Sequence, residues 1–102
     1  MPTPEELREA LKAVIDPELG INVVDLGLVY GVRVEEDVAY LDLTMTSPAC
    51  PMGELIVADA HDELLRRFPE LREAHIELVF SPPWGPERMS ERARAHLGWH
   101  GA

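Results

Sequence analysis

Residues 27–46 read GLVYGVRVEEDVAYLDLTMT, two runs of alternating side chains around an acidic centre. Period two is the signature of a strand with one buried face. Residues 27–34 form the first strand, with Leu28, Tyr30, Val32 and Val34 expected on one face. Glu35, Glu36 and Asp37 make the turn. Residues 38–46 return as the second strand, with Ala39, Leu41, Leu43 and Met45 toward the core and Tyr40, Asp42, Thr44 and Thr46 on the opposite side. So short a connection requires the two strands to be antiparallel.

One hairpin cannot bury its apolar face alone, and the flanking sequence supplies the cover. Upstream, Thr3-Pro4-Glu5-Glu6 reads as an N-cap, a proline at the first helical position and a capping-box glutamate. Leu7, Ala10, Leu11 and Val14 continue at helical spacing. The helix is expected to end before Pro17, which pushes Asp16 out of the helical region, and residues 16–20 form a turn. Downstream, residues 51–68 make a second helix with Met52, Leu55, Ile56, Leu64, Leu65 and Phe68 on its buried stripe. Residues 74–80 form a third strand with Ile76, Leu78 and Phe80 inward. Pro82, Pro83 and Pro86 stiffen the loop after it. Ser90 caps a short third helix that Gly98 closes. The order α-β-β-α-β-α describes an α+β fold, a two-layer sandwich of sheet and helices. The alternation alone does not place the third strand in the sheet.

A chain of 102 residues suits a single domain, here residues 1–102, with a core large enough to stand without cross-links. The net charge is −10, from 19 acidic against 9 basic residues. That balance speaks against nucleic acid, whose phosphates must be met by clustered lysine and arginine, and against an anionic membrane surface. No apolar run approaches the roughly 20 residues of a membrane span. The N-terminal residues carry no apolar stretch of the signal-peptide kind. The single cysteine forms no disulfide within the chain, which leaves an intermolecular bridge or a free thiol, and a free thiol fits a reducing compartment such as the cytoplasm.

That cysteine is Cys50, in the segment TSPACPMGE, residues 46–54. With Pro51 at the first position of the second helix, Cys50 is the expected N-cap. The amides of Met52 and Gly53 lack partners inside the helix, and the positive end of the helix dipole lies beside them. A thiolate is favoured at such a place, which lowers the thiol pKa below about 8.5. The competing reading makes Cys50 a small buried hydrophobe. A nucleophilic cysteine needs a histidine within hydrogen-bond reach. His61 lies about three turns along the same helix, roughly 16 Å away, and the spacing of His75, His96 and His100 does not demand such a pairing. One thiol also falls short of the four ligands of a closed zinc site or an iron–sulfur cluster. Any metal held by Cys50 is therefore transient or shared. Asp16 and Glu18 approach the thiol if the first helix docks beside the second; otherwise Asp16 merely opens a turn.

Three segments together carry a resemblance: DPELGINVVDLGLVYGV (16–32), LTMTSPACPMG (43–53) and PPWGPERMSERARAHLGW (82–99). In this order the chain resembles the metal–sulfur cluster assembly family. That family includes SufT-like proteins, PaaD-like proteins of the phenylacetate pathway and the eukaryotic cytosolic iron–sulfur targeting adaptor. The likeness spans nearly the whole chain. There is no cysteine-rich C-terminal segment of the PaaD kind, so the SufT-like form is the better comparison.

The resemblance implies a small mixed sheet with helices on one face, similar to iron–sulfur scaffold domains of the NifU type. It implies a non-enzymatic role in building iron–sulfur proteins, with Cys50 the functional thiol and a transient metal ligand. Transient iron or an iron–sulfur cluster is then the cargo and nothing is bound stably. Carrier or scaffold proteins and client apoproteins are the partners, and a homodimer is the ordinary expectation for a small oligomer. Asp16, Glu18, Asp25, Thr46, Pro51, Trp84 and Met89 match the motif positions expected around the thiol. Trp84 either anchors a partner or packs over the protein's own core. Two other readings remain: a metal-free adaptor joining carrier and client, and a thiol-dependent enzyme.

Overall fold

The computed structural model describes residues 2–46 and 53–98. Helix α1 (Pro4–Ala10) begins as the sequence anticipates. The Thr3 hydroxyl accepts from the Glu6 amide at 3.1 Å, and the Glu6 carboxylate accepts from the Thr3 amide at 2.9 Å. The helix ends sooner than expected. Residues 11–13 tighten into a 3-10 turn and Val14 is already extended. The reason is a two-stranded ribbon, β1 (Ile15–Asp16) against antiparallel β2 (Ile21–Asn22). Beside it the Val14 carbonyl accepts from the Val23 amide at 3.0 Å, so that carbonyl is engaged outside the helix. The expected turn at 16–20 survives as the tip of this ribbon.

The main sheet has the order β3 (Val29–Glu35), β4 (Val38–Leu43), β5 (Glu73–Leu78). β3 and β4 are antiparallel and joined through Glu36 and Asp37, both at positive φ. That is the twist of a type I′ hairpin turn. Helix α2 (described as Gly53–Arg67) crosses over, and β5 lies parallel to β4 in continuous register from Val38↔Glu73 to Leu43↔Leu78. The sheet is therefore mixed. α1 packs on β3, α2 packs on β5, and the two helices touch each other.

The core lies between these layers. Leu7, Leu11, Val23, Leu26, Leu28, Ala39, Leu41, Leu43, Ile56, Ala60 and Leu64 are buried in one cluster. Three expected inward positions are corrected. Tyr30 does not share a face with Val32, because the ladder shifts between Val29 and Gly31. This bulge leaves Tyr30 unpaired and lets both Leu28 and Val29 bury. Leu55 is 47% exposed, since Ile56, Ala60 and Leu64 at spacings of four supply the buried stripe. Phe80 is 43% exposed because β5 ends at Leu78.

Thr44, assigned to the outer face, is 1% exposed, and its hydroxyl has no hydrogen-bond partner among the described residues. A buried hydroxyl without a partner costs about 1–3 kcal/mol. The near-isosteric Thr44→Val change is therefore expected to raise stability by about 1 kcal/mol. Urea unfolding checks this, and a lower midpoint would show that the hydroxyl is in fact bonded.

Candidate functional site

The three motif segments meet at one tight turn, Asp25 to Leu28, just ahead of β3. Asn22 opens it. Its side chain accepts from the Asp25 amide at 2.9 Å and donates to the Asp25 carboxylate at 2.8 Å. The Leu26 amide bonds the Asn22 carbonyl, and the Leu28 amide bonds the Val23 carbonyl. Gly27 takes φ +77°. Its bare Cα lets the 84–90 loop approach closely, since a Cβ there would stand 2.2 Å from the Arg88 carbonyl oxygen.

The C-terminal segment is fastened to this turn at several points. Trp84 Nε1 donates to the Leu26 carbonyl at 2.8 Å. The Ser90 amide donates to the Asp25 carbonyl at 2.8 Å, and an Arg92 nitrogen lies 3.0 Å from the Asp25 carboxylate. Met89 is buried in the core, and Trp84 packs against it half-buried. Trp84 thus packs over the protein's own core, with its one donor engaged. A second fastening lies outside this. Arg88 stacks over Tyr30, whose hydroxyl donates to the Pro82 carbonyl at 2.9 Å. Ser90 also caps α3 (Glu91–His96) by accepting from the Ala93 amide, and Gly98 stands beyond it at φ +79°.

The cysteine segment is reached from the other side of the same turn. The Thr44 amide donates to the Leu28 carbonyl at 2.8 Å, and the Val79 amide donates to the Leu43 carbonyl at 2.8 Å. The end of β4 is thereby held between the turn and the exit of β5. Met45 is buried and Thr46 half-buried. Gly53, where the description of α2 begins, is buried against Leu78 and Met45. Cys50 and Pro51, with the N-cap role expected of the thiol, lie outside the described residues.

The two acids of the 16–18 turn have different surroundings. Asp16 is 3% exposed, and its carboxylate accepts from the amides of Glu18 at 2.9 Å and Leu19 at 3.4 Å. It therefore does what an aspartate does at the start of a turn. Glu18 is exposed. The structure brings Asp25, Trp84 and Met89 together through the Asp25–Leu28 turn. It gives Asp16 and Glu18 no direct hydrogen bond to that group among the described residues.

Asp25 is the titratable group to watch. Burial would raise its pKa, but the Asn22 hydrogen bond and the Arg92 guanidinium outweigh that and hold the carboxyl below its ordinary range. A depressed folded-state pKa contributes stability that is complete above the unfolded-state value and is lost as pH falls through the folded-state value. Asp25→Asn is therefore expected to lose about 1 kcal/mol at pH 7. The gap to the parent should close as the pH is taken down through the carboxylate range. Urea midpoints at a series of pH values test this, and a gap that stays constant with pH would contradict it.

Residues 4–78 match the family described as "Iron-sulfur cluster assembly protein". This chain belongs to that family. Among relatives, it is 46% identical to the Fe-S protein maturation auxiliary factor SufT of Staphylococcus aureus, covering 83% of this chain and 97% of that one. It is 40% identical to the Fe-S protein maturation auxiliary factor YitW of Bacillus subtilis, covering 92% of each. A crystal structure of a domain of unknown function from Bacillus anthracis superposes with a TM-score of 0.90 at 46% identity, over 93% of this chain and 91% of that one. The α+β architecture is thus a family property. Asn22, Asp25 and Gly27 all lie in the 16–32 segment that carries the resemblance, and this turn is their physical role. The tight-turn residues Asp-Leu-Gly beside a Trp-Gly-Pro loop were the available signal. No helix among the described residues is long and apolar enough to cross a membrane.

Proposed function

We propose that this protein assists the maturation of iron–sulfur proteins without catalysing a reaction of its own, and that Cys50 is the thiol through which it handles iron or a cluster. The observation that carries this reading is the near-full-length similarity to a relative named as a maturation auxiliary factor. The chemistry of the chain agrees. A thiolate is the ligand iron–sulfur clusters prefer, and Cys50 is the single thiol available. One thiolate supplies one ligand of the four that a cluster takes. The others come from the carrier that brings the cargo, the client that receives it, or a second copy of this chain. Incomplete ligation makes release easy, which suits transit rather than storage. On this reading the protein works in the cytoplasm, with carrier or scaffold proteins on one side and client apoproteins on the other.

The described part of the site serves the thiol indirectly. The Asp25–Leu28 turn, locked by Trp84 and Ser90, fixes the Leu28 carbonyl, and that carbonyl holds Thr44 at the root of the cysteine segment. Anaerobic reconstitution with ferrous iron and sulfide tests the ligand role. The parent should take up iron with thiolate-to-iron charge-transfer absorption, and Cys50→Ala should lose most of it. Equal uptake by the variant would remove direct ligation. If the variant also kept its carrier and client partners in pull-down, the metal-free adaptor would be the better reading.

A further inference from the structure

We propose that the free edge of β5 takes up an extended segment of a partner protein in which apolar residues alternate with lysine or arginine. β5 is an end strand of the main sheet. Among the described residues its backbone groups bond only toward β4. It pairs with β4 over six positions without a bulge, so the edge is regular. The opposite edge is less suited to addition. β3 carries the bulge at Tyr30, and the Arg8 guanidinium covers the Val29 carbonyl at 3.4 Å. Bulges and edge cations are the devices by which sheets discourage added strands.

The side chains along β5 specify the visitor. Ala74, Ile76 and Leu78 face the helical layer, with Ile76 and Leu78 only half-buried. Glu73, His75 and Glu77 face outward and are exposed. An added strand sets alternate residues beside each row. Those on the inner side would meet Ile76 and Leu78. Those on the outer side would meet two carboxylates. The outward rows sharpen the charge preference. In one, Arg33 lies over Tyr40, and Tyr40 stacks on His75 with centroids 5.4 Å apart, ending at the edge. In the next, Asp42 stands directly beside Glu77, a like-charge pair that costs stability. A cation arriving next to Glu77 relieves it. A second copy is the poorer occupant, because β5 itself carries no lysine or arginine to set against Glu73 and Glu77.

This inference stands apart from the role of the thiol and is tested without metal. The probe is an acetylated, amidated heptapeptide of alternating lysine and valine, with the glutamate–valine heptapeptide as its counterpart. Amide hydrogen exchange followed by NMR is the readout. The lysine peptide should slow exchange at least tenfold at outward-facing amides of Glu73–Leu78, and the glutamate peptide should not. The double variant Glu73→Lys/Glu77→Lys should reverse the preference. Glu5→Lys/Glu9→Lys, with the same change in net charge on α1, should leave it intact. Absence of protection in β5, or equal loss of it in both double variants, would overturn the proposal.

Discussion

Replacing Gly27 by alanine is expected to destabilise the protein by about 3 kcal/mol or more, among the largest single-residue effects available in this fold. Two costs add. A left-handed backbone conformation with a Cβ costs roughly 1–2 kcal/mol. The new methyl would also overlap the Arg88 carbonyl and β-carbon at 2.2–2.8 Å, and most of the overlap is with backbone that has no side-chain rotation to escape by. The loop 84–90 must lift, which strains the Trp84–Leu26 and Ser90–Asp25 bonds together. Gly20 is the internal control. It has a similar φ of +70°, and nothing lies within 4 Å of its added Cβ. Gly20→Ala should therefore show the backbone cost alone, about 1 kcal/mol. For a chain of this size the difference amounts to roughly 8–16 °C in Tm. Equal losses in the two variants, measured by urea unfolding, would mean that the loop is not seated on Gly27.

This result bears on function because the turn is where the three motif segments join. A loosened 84–90 loop removes the bonds that steady Leu26 and Asp25, and Leu28 is the next anchor of β4. Gly27→Ala is accordingly expected to weaken client maturation as well as stability, and lowering the temperature until the variant is fully folded should restore part of it.

Much of the fold was legible because periodicity reports burial. The alternation over 27–46 gave the hairpin, and Ala39, Leu41 and Leu43 of β4, with Met45 just beyond it, are buried as expected, while Thr44 is buried against the alternation. The capping box at Thr3 and the Ser90 cap were readable because each needs only residues three apart. The errors share a cause. The Tyr30 bulge and the early end of α1 are set by contacts with distant chain, and so is the parallel placement of β5, which the alternation had left open. No local pattern records that Val14 will bond Val23, or that α2 carries the chain back beside β4. Leu55 and Phe80 were misplaced for a related reason. Each fits a local apolar period, yet the neighbour that would cover it is absent among the described residues.

The candidate site divides in the same way. The chemistry of a lone thiol framed by prolines was visible in the sequence, because ligand type and count need no coordinates. The architecture beside it was not. Nothing in the spacing of Asp25, Gly27, Trp84 and Ser90 states that they close on one another, since the two segments lie more than fifty residues apart. Trp84, a residue of interest as a partner anchor, proves to be a fastening of the domain to itself. Its substitution would therefore report on folding before it reported on partners.

On the proposed reading Cys50 acts on cargo while the rest of the domain supports it. The most direct measurement is the rate at which an apo-[4Fe–4S] client enzyme regains activity in an anaerobic mixture of loaded cluster carrier and this protein. The parent should accelerate recovery several-fold over carrier alone. Cys50→Ala, checked by urea unfolding to lie within about 0.5 kcal/mol of the parent, should give no acceleration. A folded Cys50→Ala variant that accelerates recovery as well as the parent would contradict the account.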